Sequence, residues 1–162
     1  MPHIAFDQLP DDARVWVFAS DRPVTGPQAE RLLGEVDGFL ARWVAHGQPL
    51  TAAREWASDR FLAVAVDQRD AHASGCSIDG LFRTLQQLGR EIGANLVGGG
   101  RVYFRDAAGA IQAVPRDEFS TRAARGEVTA DTAVFDPTVT TAGDWRERFE
   151  RPARASWHAG LL

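Results

Sequence analysis

Residues Arg60 to Asp67 read RFLAVAVD, a stretch with no polar side chain from Phe61 to Val66. Successive side chains of a strand point to opposite faces, so a strand that is apolar at every position must be covered on both. This segment therefore belongs in the middle of a sheet. TAAREWAS, Thr51 to Ser58, precedes it as a second strand, with a tight turn at Ser58 and Asp59. RVWVFAS, Arg14 to Ser20, sets Val15, Val17 and Ala19 on one side and Trp16 and Phe18 on the other, and reads as another strand buried on both faces.

Helices fall between these strands. Leu32, Leu33, Val36, Phe39, Leu40, Trp43 and Val44 recur at three- and four-residue steps and predict an amphipathic helix from Gln28 to His46. Gly47 and Pro49 end it. Downstream, ASGCSIDGLFRTLQQLG carries a stripe of Ile78, Leu81, Phe82, Leu85, Leu88 and Ile92, broken by Gly93 and Asn95. RVYFRD and AIQAVP flank AAG as a hairpin, RDEFSTRAARG forms a short helix closed by Gly126, and TAVF is a short strand. Thr141 and Asp144 make a capping box before a terminal helix stopped at Pro152.

This order predicts an α+β protein with a ferredoxin-like split βαβ core, helices on one face of a mainly antiparallel sheet, and an added C-terminal strand and helices. The 162 residues are read as a single domain, 1–162. In that core Val15–Ala19 and Leu62–Val66 are expected side by side and parallel, so the loops that follow them meet at one end of the sheet. His46 then stands at the far end of its helix, out of reach of Cys76.

Those two loops supply the candidate site. Cys76, the only cysteine, sits where a loop becomes a helix, and helix-start amides and dipole stabilise a thiolate. One reading makes Cys76 a nucleophile, His72 its base and Asp67 their neighbour, as in a thiol-dependent hydrolase or transferase. A non-enzymatic binding or interaction module is the leading alternative, with Ser20, Asp21, Arg22, Ser74, Gly75 and Ser77 accepting a small anion or a partner's acidic group. The simplest reading makes Cys76 a small apolar residue, capped by Ser74 or Ser77 and partly buried among polar neighbours. His72 could instead ligate a metal with Asp67 or Asp70, but the pattern assigns no metal and no cofactor. His158, after Trp157, reads as a pin for the chain's end. Gly98 to Gly100 read as a flexible turn, or as a phosphate nest.

A net charge of -4 argues against a nucleic-acid partner. No stretch approaches the roughly 20 apolar residues of a membrane span, and the N-terminus lacks the pattern of a signal peptide, so a cytoplasmic location is expected.

The segments FDQLPDDARVWVF, WVAHGQPL, ASGCSIDG, ADTAVF and PARASWHAGLL together resemble an uncharacterised family of small bacterial proteins over nearly the whole chain. Its members are often labelled ABC transporter ATPase. That label implies a P-loop, whose lysine reaches the phosphates, and all 18 cationic side chains here are arginine. The resemblance implies no fold, ligand or activity of its own.

Overall fold

Every position of the strand Phe61–Asp67 is buried, as its unbroken apolar sequence demands. The computed structural model describes residues 4–69 and 71–162. The chain divides into two compact units, Met1–Gly98 with Thr138–Trp145 and Gly99–Pro137 with Arg146–Leu162.

The first unit holds β1 (Arg14–Ala19), α1 (Gly26–Ala41), β2 (Val44–Ala45), β3 (Gln48–Pro49), β4 (Thr51–Ala57), β5 (Phe61–Asp67) and α2 (Gly75–Ile92). Its main sheet has the order β1-β5-β4. Leu62, Val64 and Val66 of β5 pack with Leu32 and Val36 of α1 and with Leu81, Leu85 and Leu88 of α2, so both helices cover one face. On the other face Trp145 stacks edge-on against Phe6 and its indole N–H donates to Glu55. The fold is thus mixed α+β with antiparallel sheets.

The strand polarity differs from the parallel pairing expected of β1 and β5. β1 and β5 are neighbours but run antiparallel, Arg14 opposite Val66 and Ala19 opposite Phe61. β4 is also antiparallel to β5, so the parallel pair is β1 and β4, joined through α1 with β5 between them. The strand that follows α2 joins a different sheet, so a complete ferredoxin-like core is not formed. The physical reason lies in the short turn through Ser58, Asp59 and Arg60, the first two with positive φ, which locks β4 and β5 as a hairpin. The crossover through α1 then returns β4 parallel to β1 and leaves β5 opposed to both.

α1 is shorter than its periodicity suggests, ending at Ala41 rather than His46. His46 and Gly47 both take positive φ and form the two-residue turn of the β2–β3 hairpin. Trp43 leaves the helix to join the core, where its indole N–H donates to the Ser77 carbonyl at 2.9 Å. α2 follows its sequence signals more closely. Ser74 is the N-cap, exchanging hydrogen bonds with Ser77, and Gly93 closes the helix in the left-handed conformation. Asp79 lies beyond the first turn. Phe82 departs from the stripe. It is 42% exposed and meets Phe18 edge-on, because the buried line runs through Leu81, Leu85, Leu88 and Ile92 and leaves Phe82 on its flank.

The second unit carries β6 (Arg101–Arg105), β7 (Ile111–Pro115), α3 (Arg116–Ala124), β8 (Ala133–Phe135) and β9 (Glu150–Pro152) in an antiparallel sheet ordered β7-β6-β8-β9. Phe119 of α3 packs on Phe104 with ring centres 5.4 Å apart, amid Val102, Val114 and Val134. The helix α4 (Ala142–Arg148) starts with the expected cap, Asp144 N–H donating to Thr141 Oγ1 at 3.1 Å. No helix among the described residues is long and apolar enough to cross a membrane.

Replacing a fully buried leucine leaves a cavity that the packed surroundings fill only in part. Leu85→Ala should cost about 2 to 5 kcal/mol in urea unfolding, whereas Phe82→Ala should cost less than about 1.5 kcal/mol, since half of its surface already meets water. Equal losses at the two positions would contradict this assignment of the helix face.

Candidate functional site

The antiparallel register divides the candidate residues into two groups. Ser20, Asp21 and Arg22 follow β1 at the end where β5 begins, and the Ser20 N–H donates to the Arg60 carbonyl at 2.8 Å. Asp67, His72, Ser74, Gly75, Cys76 and Ser77 follow β5 at its other end, about 20 Å away along the strand. α2 spans the same gap. Its 18 residues run from Gly75 to Ile92, and Asn95 just beyond it binds Asp21, whose Oδ1 accepts the Asn95 N–H at 2.8 Å. The nine residues therefore do not form one site.

Within the first group, Ser20 is fully buried; its hydroxyl donates to the Arg22 carbonyl at 2.6 Å and accepts the Arg22 N–H at 3.3 Å. That serine shapes a turn and presents nothing to solvent. Asp21 clamps the loop after α2, its own N–H donating to the Asn95 carbonyl at 3.1 Å. The Arg22 guanidinium is exposed, with Nε 3.6 Å from Asp21.

In the second group, Asp67 is committed to Arg69. The guanidinium Nε lies 3.0 Å from both carboxylate oxygens, Nη2 donates at 2.6 Å, and the Arg69 N–H adds a bond at 3.1 Å. These bonds, led by those of the Arg69 side chain, hold the Asp67 carboxyl below its ordinary range. Asp67 is therefore a loop clamp, with its charge already answered. Ser77 is buried in the capping box, while Gly75, Cys76 and His72 are exposed. Cys76 is thus more open than the partial burial expected of it, because the buried stripe of α2 passes through Ser77 and Leu81. Neither the Cys76 nor the His72 side chain makes a hydrogen bond or ion pair among the described residues. Asp70, the other acid considered beside His72, lies outside the described residues. Among the described residues no group of three His, Cys, Asp or Glu side chains is placed to hold a metal ion.

A different feature of the first unit has the character of a binding site. A cleft of about 390 Å³ lies between the last turns of α1 and the start of β4, walled by Phe6, Leu40, Ala41 and Leu50. Asp37 and Arg54 also line it, joined by a two-pronged ion pair with Nε and Nη2 at 2.8 and 2.9 Å from the carboxylate oxygens. The bond to Asp37 raises the Arg54 pKa, against the opposing effect of burial. Arg54 Nη1 has no partner among the described residues. The sequence carries no local signal for this pair. Asp37 lies on the polar side of a helical pattern, Arg54 in an alternating strand, and only the fold brings them together.

In the second unit His158 is fully enclosed, stacked on Trp157 at 3.9 Å and edge-on to Phe119, with Nδ1 2.7 Å from Ser156 Oγ. This packing suits the pinning role read for it in the sequence. Burial pushes its pKa down to about 4, against the pull of Asp136 and with the help of Arg151 and Arg116.

Compared with family models, curated proteins and solved structures, the chain matches none.

The His158 shift carries a consequence for acid stability. An unfolded histidine takes up its proton near pH 6.5, whereas the enclosed ring resists until about pH 4, so acid favours the unfolded chain between these values. Stability should be intact above about pH 6.5 and fall by about 2 kcal/mol between pH 7.5 and pH 5 through this group. Urea unfolding at the two pH values checks it, and His158→Phe should remove that part of the loss.

Proposed function

We propose that this protein is a non-enzymatic binding module whose site is the cleft between α1 and β4. One observation carries the reading: an apolar recess of about 390 Å³ holds a fixed pair of polar groups, Asp37 and Arg54, on its wall. Small-molecule sites are commonly recesses of this size, mostly apolar, with a few polar groups that orient the ligand. Leu40, Leu50 and Phe6 would take up an apolar body. Arg54 Nη1 would donate to an acceptor on it, while Asp37 keeps the guanidinium oriented and its charge balanced. A neutral carbonyl or amide suits this pair better than a free carboxylate, because Asp37 already neutralises the arginine. The anion-accepting interaction read at Ser74, Gly75 and Cys76 belongs to the same binding reading, supported by the exposed first turn of α2. A cytoplasmic location fits an exposed, unpaired thiol.

A thiol-dependent enzyme is the second reading, and the exposure of Cys76 on the first turn of α2 is the observation in its favour. Against it stand Asp67, bound to Arg69, and the separation of Ser20 to Arg22 from the thiol. The pH dependence of Cys76 alkylation by iodoacetamide separates the two readings, since a catalytic thiolate reacts well below pH 8.5 and an ordinary thiol does not.

The neutral environment-sensitive dye Nile red, which carries a ring carbonyl, should bind the native protein with enhanced fluorescence, and Ala41→Trp, which fills the recess from its exposed wall, should abolish the enhancement without lowering the melting temperature. Unchanged dye binding in that variant would remove the cleft as the site.

A further inference from the structure

A second cleft of the first unit, about 570 Å³, opens at the C-terminal end of α2, and its lining includes Arg22, Arg90, Leu96 and three glycines, Gly89, Gly93 and Gly98. Three arginines of this unit are committed to carboxylates, and these two are not. Arg31, Arg54 and Arg69 each hold a carboxylate within hydrogen-bond reach. The Arg90 guanidinium has no hydrogen bond or ion pair among the described residues, and that of Arg22 has only the 3.6 Å approach to Asp21. The backbone beneath them is fixed. Asp21 and Asn95 exchange two hydrogen bonds, at 2.8 and 3.1 Å, tying the loop after β1 to the loop after α2. Asn95 Oδ1 then accepts the Val97 and Gly98 N–H groups at 3.2 and 2.7 Å.

The glycines let the chain pack closely here. A Cβ on Gly89 would stand 2.4 Å from the Ala94 carbonyl oxygen, and one on Gly98 would stand 2.5 Å from the Asn95 side chain, so both positions hold the loop after α2 tightly against the helix end. The N–H of Leu96 has no hydrogen-bond partner among the described residues. The end of a helix carries partial negative charge, and Asp21 adds a full one, so an anion here requires more than one cation. Two are present.

We propose that this cleft binds a phosphate monoester through the guanidinium groups of Arg22 and Arg90 and the N–H of Leu96. A carboxylate is satisfied by one guanidinium fork and would leave the second arginine idle, whereas a phosphate dianion has oxygens for both forks and for the amide. The site is independent of the cleft beside β4.

Titration of isotope-labelled protein with phenyl phosphate and with inorganic phosphate, followed by amide chemical shifts, tests the assignment. Both ligands should move the resonances of Asn95, Leu96 and Gly98. Arg22→Gln and Arg90→Gln should each weaken binding by about tenfold or more, as loss of a charge-assisted pair does, with melting temperature as the check on folding. Arg83→Gln, exposed on the same helix, should leave it unchanged. The proposal is overturned if those amides do not move, if Arg83→Gln weakens binding as much as the other two, or if acetate binds as tightly as phosphate.

Discussion

β5 has water on neither face and on neither edge. Its side chains meet α1 and α2 on one side and are buried on the other as well, while β1 and β4 take its backbone hydrogen bonds. A strand so enclosed cannot slip by one residue, since a slip would move each side chain to the opposite face. The register of β1 and β4 is therefore set against β5, and the helices are placed by the face they must cover. Trp43 adds a fixed point. It leaves α1, enters the same core, and bonds the first turn of α2 through Ser77.

The direction of pairing has consequences for chemistry. With β1 opposed to β5, the two loops richest in polar side chains stand at opposite ends of the sheet. Ser20 to Arg22 and Cys76 are thereby separated by the length of α2. Each end then satisfies itself locally: Ser74 with Ser77, Asp67 with Arg69, Asp21 with Asn95. These local bonds answer donors and charges that a catalytic constellation would have needed free. What remains open is recess and cation. The apolar cleft along α1 and β4 and the arginine-flanked cleft at the end of α2 are both suited to holding a ligand, and neither sets a nucleophile beside a base.

Ser58, Asp59 and the β2–β3 turn illustrate how a few backbone angles redirect the whole. Two consecutive residues at positive φ join strands as a tight hairpin. At Ser58 and Asp59 this makes β4 and β5 one unit, which decides the polarity of the sheet. At His46 and Gly47 it ends a helix that the apolar spacing would have continued to His46. Both are local conformations whose effect is long-range.

From the sequence by itself one could read the central burial of Phe61 to Val66, the strand Arg14 to Ser20, a serine cap on α2 at Ser74 or Ser77 and its stop at Gly93, the β6–β7 hairpin and the Thr141 cap. Each is written in the period of its side chains or in a cap a few residues long, so short-range physics suffices. The relation of β1 to β5, the exposure of Phe82 and the union of Asp37 with Arg54 or of Asp21 with Asn95 were decided only in three dimensions. Apolar alternation states that a strand is buried but is the same read in either direction. Polar partners 17 or 74 residues apart carry no mark of one another until packing brings them within hydrogen-bond distance.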